Sequence, residues 1–359
     1  MKKKRWICII ILVALILLIV IGLIVRNFFY HSFKKVEGSI PHNESCVYLP
    51  SDSRGLLEIS KDATVTEYKI LSNDENRKSI QKTGSFHVEM PVKKYISSEL
   101  FITENDDIMF GDIRGTEYKK LGTVKNASDI SIVKNYEKMI THAAVATSDG
   151  LLYVQGDNST GALGIEEKQV NDEFVQVPNL QNVIKAVCGI NCILVLNADG
   201  EVFMSGTLAG GLSYQTFTKL EVPEKIKDIA ASDVARTLIA LGVDGNIYEL
   251  GKPSFGEYYI AGVYGELDET VYSSFHKISK LENIVSIITI DEMEACAVDE
   301  NGKVFYWGTY FGSEGKLSLL KKFFVDGIYG LPEYDEIWYQ GYFYVLSNNE
   351  ITAYYCNYL

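Results

Sequence analysis

The sequence predicts an all-β fold: a seven-bladed β-propeller of four-stranded blades, preceded by one N-terminal transmembrane helix. Three observations carry that prediction. The chain opens with an uncharged apolar run of 20 residues, Trp6 to Val25. A glycine-marked hairpin unit then recurs at near-regular spacing through residues 36–359. Proline is scarce, 7 of 359 residues, and no long helical periodicity appears.

The apolar run comes first. At about 1.5 Å per residue it reaches about 30 Å, the thickness of a bilayer's hydrocarbon core. Lipid offers the backbone no hydrogen-bond partners, so such a segment must be helical. Trp6 at one end and Phe28, Phe29 and Tyr30 at the other suit the interfacial belts. The run exceeds the apolar region of a cleaved signal peptide, and Val25-Arg26-Asn27-Phe28-Phe29 lacks the small residues of a cleavage site. Lys2, Lys3, Lys4 and Arg5 crowd its N-terminal side. The positive-inside rule therefore expects residues 1–5 in the cytoplasm, an uncleaved signal anchor over 6–25, a juxtamembrane stalk over 26–45 and an extracytoplasmic body over 46–359.

The body is organised by the repeat. It reads Asp149-Gly150 through Gly156, Asp199-Gly200 through Gly206, Asp244-Gly245 through Gly251, and Asn301-Gly302 through Gly308. Asp-Gly and Asn-Gly are strong hairpin signals, and they suggest type I′ turns. Apolar runs precede each turn, at 143–146, 193–196, 238–241 and 295–298, and apolar or aromatic residues follow. Each unit therefore holds two buried strands around a turn. Weaker copies centre on Asn348-Asn349, on Glu104-Asn105 and, weakest of all, on Arg54-Gly55. The turn positions 55, 105, 150, 200, 245, 302 and 349 stand 45 to 57 residues apart. That period marks propeller blades, and closing seven of them into a ring removes the open edges a linear stack would leave.

The blade from His142 to Cys188 resembles a regulator-of-chromosome-condensation repeat. The matching residues are His142, Asp149-Gly150, Tyr153, Gly156-Asp157-Asn158, Gly161-Ala162-Leu163-Gly164, Pro178, Leu180, Val183 and Val187-Cys188-Gly189. Cys192 stands where that family usually has histidine, and Trp307-Gly308 restores the usual strand ending. The resemblance is strongest over 140–310. It implies a seven-bladed propeller of four-stranded blades, here as a membrane-anchored, bacterial-type member. It implies no single activity. The founding eukaryotic member exchanges nucleotide on a small GTPase and docks on nucleosomes through loops and an added hairpin that have no match here. Secreted bacterial relatives inhibit β-lactamases with one propeller face. Fold alone does not choose among these.

Charge narrows the partners. The net charge is −13, yet residues 1–35 hold seven Lys or Arg and no acid, so the body is more acidic still. Such a body repels phosphate backbones, which argues against nucleic acid. It suits solubility outside the cell, and it would also suit a basic partner.

Catalytic motifs are missing: the sequence has no G-x-S-x-G elbow, no phosphate-binding loop, no H-E-x-x-H and no dinucleotide fingerprint. The 5 histidines show no metal-ligand spacing, so no cofactor or metal is expected. His142 reads as a structural repeat position. Cys188 and Cys192 read as small buried side chains. Cys46 and Cys356 lie near the two ends a propeller joins and are the pair to consider for a disulfide; five cysteines after the anchor, an odd number, exclude complete pairing within the chain. Sequons occur at Asn43, Asn126 and Asn158. They matter only if the chain passes through a glycosylating compartment.

The segment between Gly251 and Lys277 stands out. This blade has the longest connection, rich in aromatics and acids, including Phe255, Tyr258, Tyr259, Tyr264 and Tyr272. Rigid aromatics on long loops supply contact area at low entropy cost, and they equally serve as local packing. The sequence thus points to a non-enzymatic binding or scaffold module in the cell membrane, recognising a protein or envelope component. The alternative is an extracytoplasmic enzyme acting on glycans or peptides, whose carboxylates would come from distant segments.

Overall fold

The computed structural model describes residues 34–355, apart from 52–54, 73–76, 116, 135–138, 167–170, 209–210, 232–236, 252–256, 261–262, 268–271, 279–280, 290–293, 309–330, 332–333 and 340–341. Residues 1–5 and the run 6–25 lie outside the described residues. Among those described, no helix is long and apolar enough to cross a membrane.

Two short strands come first, β1 (Lys34–Lys35) and β2 (Ile40–Pro41). Blade one follows as β3 (Val47–Ser51), β4 (Gly55–Ile59), β5 (Thr64–Ser72) and β6 (Lys78–His87). Blade two holds β7 (Val92–Tyr95), β8 (Leu100–Thr103), β9 (Asp107–Phe110) and β10 (Lys119–Thr123). Blade three holds β11 (Ala127–Lys134), β12 (Ile140–Thr147), β13 (Leu152–Gly156) and β14 (Asn171–Gln176). Blade four holds β15 (Val183–Gly189), β16 (Cys192–Asn197), β17 (Val202–Thr207) and β18 (Ser213–Lys219). In blade five, β19 (Ile226–Ala231), β20 (Thr237–Gly242) and β21 (Ile247–Gly251) are followed by a separate hairpin, β22 (Glu257–Ile260) and β23 (Val263–Leu267), and then by β24 (Tyr272–Lys277). Blade six holds β25 (Ile284–Thr289), β26 (Glu294–Asp299) and β27 (Val304–Gly308), its three described strands. Blade seven ends the chain with β28 (Glu336–Tyr339), β29 (Phe343–Ser347) and β30 (Glu350–Tyr355).

The blades are antiparallel meanders, so the expected seven-bladed propeller is what forms, with blades that are mostly four-stranded. The first strands are innermost: β11 stands beside β15, β15 beside β19, β19 beside β25, and β28 beside β3, where the ring closes. The second strands are sandwiched between neighbouring blades. β8 and β16 are buried at every position, so their sequences are continuous apolar runs rather than alternating ones. The outer strands meet water, and β6 and β18 are largely exposed and polar. The core lies between blades. Leu194, Met204, Ile229, Leu238 and Leu250 join blades four and five.

The seam is a latch. β1 and β2 both pair with β30, placing N-terminal strands on the outer edge of the last blade. Val36 and Ile40, 0% and 1% exposed, fill the core between blades seven and one beside Tyr48, Leu56 and Tyr344. The Glu37 N–H donates to the Lys78 carbonyl at 2.9 Å, so the same segment also ties to β6 of blade one. Lys34–Lys35 and Ile40–Pro41, inside the 26–45 segment expected to be a stalk, thus belong to the propeller. The latch strands are two residues each and give no pattern of their own in the sequence.

The turns also differ from expectation. At Asp149-Gly150 the loop has three residues: Gly150 N–H bonds Thr147 O at 2.9 Å, and Thr147 N–H bonds Leu151 O at 3.0 Å. Only Gly150 is left-handed, with φ 81°, so this is a type I turn closed by a bulge glycine rather than type I′. Gly200, Gly245 and Gly302 repeat it. In blade two Asp106 takes the left-handed position, with φ 59°. In blade one Ala63 takes it, with φ 60°, in the Ser60–Thr64 loop. The weakest predicted copy, at Gly55, is thus one hairpin early: Gly55 begins β4. Type I′ geometry occurs at Asn348-Asn349, where both φ angles are positive, 52° and 62°.

Candidate functional site

The meander gives the ring two unlike faces. The hairpins joining second to third strands all emerge on one, the hairpin face. The connections from third to fourth strands emerge on the other, the loop face. β1 pairs with the far end of β30, Lys34 opposite Tyr355, so the chain enters the ring on the loop face.

The aromatic segment singled out from the sequence lies on the loop face. It is no open loop: β22 and β23 form an antiparallel hairpin in which Tyr259 stands opposite Tyr264. Tyr258 and Tyr259 belong to β22 and Tyr264 to β23, whereas Phe255 lies outside the described residues. The hairpin runs beside β27 of blade six. It is surplus to its own blade, because β21 pairs directly with β24. Tyr272 begins β24, half-buried, and its ring stacks on His276 at 4.3 Å and 2°.

The hairpin face carries an axial ring that sequence reading missed. One residue of each innermost strand pairs with the equivalent position of its second strand: Val47 with Ile59, Lys94 with Ile102, Asp129 with Ala146, Lys185 with Leu196, Asp228 with Leu241, Ser286 with Val298 and Glu336 with Leu346. From blade two to blade five the charges alternate. Lys185 Nζ lies 2.6 Å from Asp228 Oδ1. Burial pushes the Asp129 carboxyl above its ordinary range, while Lys185 and Lys94 pull it back. A β-bulge precedes this position in blades two to six, turning Ile184 and Val285 outward, 51% and 46% exposed. The signal lies in the register shared by all seven blades and not in the pattern of any one strand.

The remaining candidates are structural. His142 in β12 is 2% exposed, and burial lowers its pKa to about 4, opposed by backbone groups of Gly189 and Cys192 facing the ring. It stands opposite Gly156, just as Cys192 stands opposite Gly206, so the cysteine does occupy the histidine's place in the next blade. A Cβ on Gly156 would lie 2.2 Å from the Thr141 carbonyl, which explains the glycine. Burial pushes the Cys192 thiol up to about 12. Cys188 donates its N–H to Ser131 Oγ at 2.9 Å, linking blades three and four. Asn158 is 1% exposed; it donates to the Ile165 carbonyl at 3.0 Å and accepts the Leu163 N–H at 2.8 Å. Its sequon is a loop-forming device, closed to a glycan in the folded protein. Asn126 is left-handed, φ 61°, and its carbonyl accepts the Ser148 N–H at 2.9 Å, stitching a hairpin tip to the start of its own blade. Cys46 is half-buried in the turn before β3, against the seam core; Cys356 lies outside the described residues. Among the described residues no three His, Cys, Asp or Glu side chains gather as a metal set.

No family model matches the chain. Among solved structures it is similar to human WBSCR16, with TM-score 0.54 and 13% identity over 85% of each chain. It also aligns with Prp20p of Saccharomyces cerevisiae, at TM-score 0.49 and 15% identity over 71% of this chain and 70% of that one. A third alignment is to the C-terminal WD40 domain of Sif2, at TM-score 0.48 and 11% identity, covering 91% and 99%. The likeness to WBSCR16 is one of fold alone.

Proposed function

We propose that this protein is a non-enzymatic binding module, anchored in the cell membrane by residues 6–25 and displayed outside it, which grips a protein or an envelope polymer with the loop face of its propeller. The observation that carries the reading is the β22–β23 hairpin. Blade five closes without it, so those residues add surface rather than complete the ring. A rigid ring presenting such an insertion lowers the entropy cost of association.

The topology sets the working geometry of this reading. Eight residues, 26–33, join the proposed anchor to β1. At roughly 3.3–3.6 Å each they hold the loop face within about 30 Å of the bilayer. A partner of that face is then membrane-proximal, and the hairpin face looks away from the membrane.

The test is capture from native envelope material with the full chain in neutral detergent, beside a variant carrying Tyr258→Ala, Tyr259→Ala and Tyr264→Ala. Saturable retention by the first and loss by the second supports the reading. Equal retention moves the site off the hairpin. No retention by either argues for the enzyme reading, and glycan and peptide substrates would then be screened.

A further inference from the structure

We propose that the hairpin face of blades six, seven and one is a second docking surface, for a lysine- or arginine-rich peptide segment of a partner protein that carries a small apolar anchor. This rests on reading the propeller as a binding module, but not on the tyrosine hairpin, which lies on the opposite face.

The argument starts from an asymmetry around the axis. On one side of the channel mouth Lys94, Asp129, Lys185 and Asp228 alternate in sign, and Lys185 and Asp228 are ion-paired at 2.6 Å. That side answers its own charge. On the other side the same level reads Ser286, Glu336 and Val47, with no cation. Asp335, just before β28, and Glu336, its first residue, are both exposed, and Glu282, Glu300 and Glu350 are exposed nearby at the blade ends. Among the described residues none of these five carboxylates is in an ion pair.

Apolar surface sits inside this acidic sector. Val285 is 46% and Val47 45% exposed, one on each side of β28. Val285 is the bulged residue of β25, a position that turns a side chain out of the sheet. The cations of this sector are Lys61 and Lys303, at the hairpin tips of blades one and six, and the five carboxylates outnumber them. Exposed valines within that acidic excess suit an apolar residue flanked by cations. Complementary charge at the rim steers the encounter, and the apolar contact holds it. An acidic peptide or an anionic lipid surface is repelled, which selects a basic protein segment as the occupant. Entry of the chain on the loop face leaves this face open.

The experiment measures fluorescence anisotropy of a labelled peptide of alternating lysine and serine with a central valine pair, against the full chain in neutral detergent. A glutamate-for-lysine peptide and a lysine–serine peptide without valine serve as comparators. The Glu282→Gln, Asp335→Asn, Glu336→Gln variant should bind the valine peptide roughly tenfold more weakly. A loop-face variant with the same charge change, Glu117→Gln, Glu166→Gln, Asp172→Asn, should bind like wild type. Val47→Ser with Val285→Ser should weaken the valine peptide and leave the lysine–serine peptide unchanged. The tyrosine variant should bind the peptide normally, which separates this surface from the loop-face site. Equal weakening by the two charge variants, no binding of the basic peptide, or binding of the acidic one overturns the proposal. Circular dichroism confirms that each variant is folded.

Discussion

His142 gives a stability prediction with a sign and a size. Its imidazole is 2% exposed, and burial lowers its pKa from 6.5 to about 4. The unfolded chain therefore takes up a proton at this site below pH 6.5, whereas the folded chain does so only near 4. Stability rises with pH wherever the unfolded state binds more protons, so it should climb between pH 4 and 6.5 and level off above. The full difference is about 3 kcal/mol, of which about 2 kcal/mol is lost by pH 5. The assay is urea unfolding of the full chain in neutral detergent, followed by tryptophan fluorescence from pH 7.5 to 4.5, for wild type and His142→Gln. The depressed carboxylates, Asp106 and Asp244 among them, lose their contribution below their ordinary pKa of 3.8 and so act beneath this window. Asp129, whose pKa is raised, works in the opposite sense and is common to both proteins. Wild type should lose about 2 kcal/mol more than the variant between pH 7 and 5. Parallel pH profiles for the two would refute the reasoning.

Three further outcomes follow from the packing. Ala63 is held left-handed where blades three to six use glycine, so Ala63→Gly should stabilise by about 1 kcal/mol in the same urea assay. Asn158→Ala leaves the Ile165 carbonyl and Leu163 N–H without their buried partner and should cost about 3 kcal/mol, read as a lower urea midpoint. Ile40→Ala empties a 1%-exposed site in the seam; it should cost about 2–4 kcal/mol and speed hydrogen exchange in β30 more than in β16.

The parts of the fold legible in the sequence were the parts buried from both sides. Ile193 to Leu196 and Phe343 to Leu346 lie between blades, so nothing polar interrupts them, and a left-handed turn residue follows each run, Gly200 in one and Asn348-Asn349 in the other. In blade one Ala63 holds that position and leaves no such mark, so the sequence pattern points to Gly55, one hairpin early. Outer strands such as β18 face water and carry no apolar pattern. The latch was invisible because Lys34-Lys35 and Ile40-Pro41 are too short to show a period. The aromatic segment was legible as composition but not as a hairpin, and the axial charges became visible only through register across blades.

The central claim is that the loop face, through the β22–β23 hairpin, is where this propeller binds. The most direct measurement is hydrogen–deuterium exchange of the full chain in membranes, with and without the envelope fraction retained in capture. The account predicts added protection concentrated in residues 257–267, with β16 and β29 unchanged. Protection absent from that hairpin, while the fraction stays bound, would contradict it.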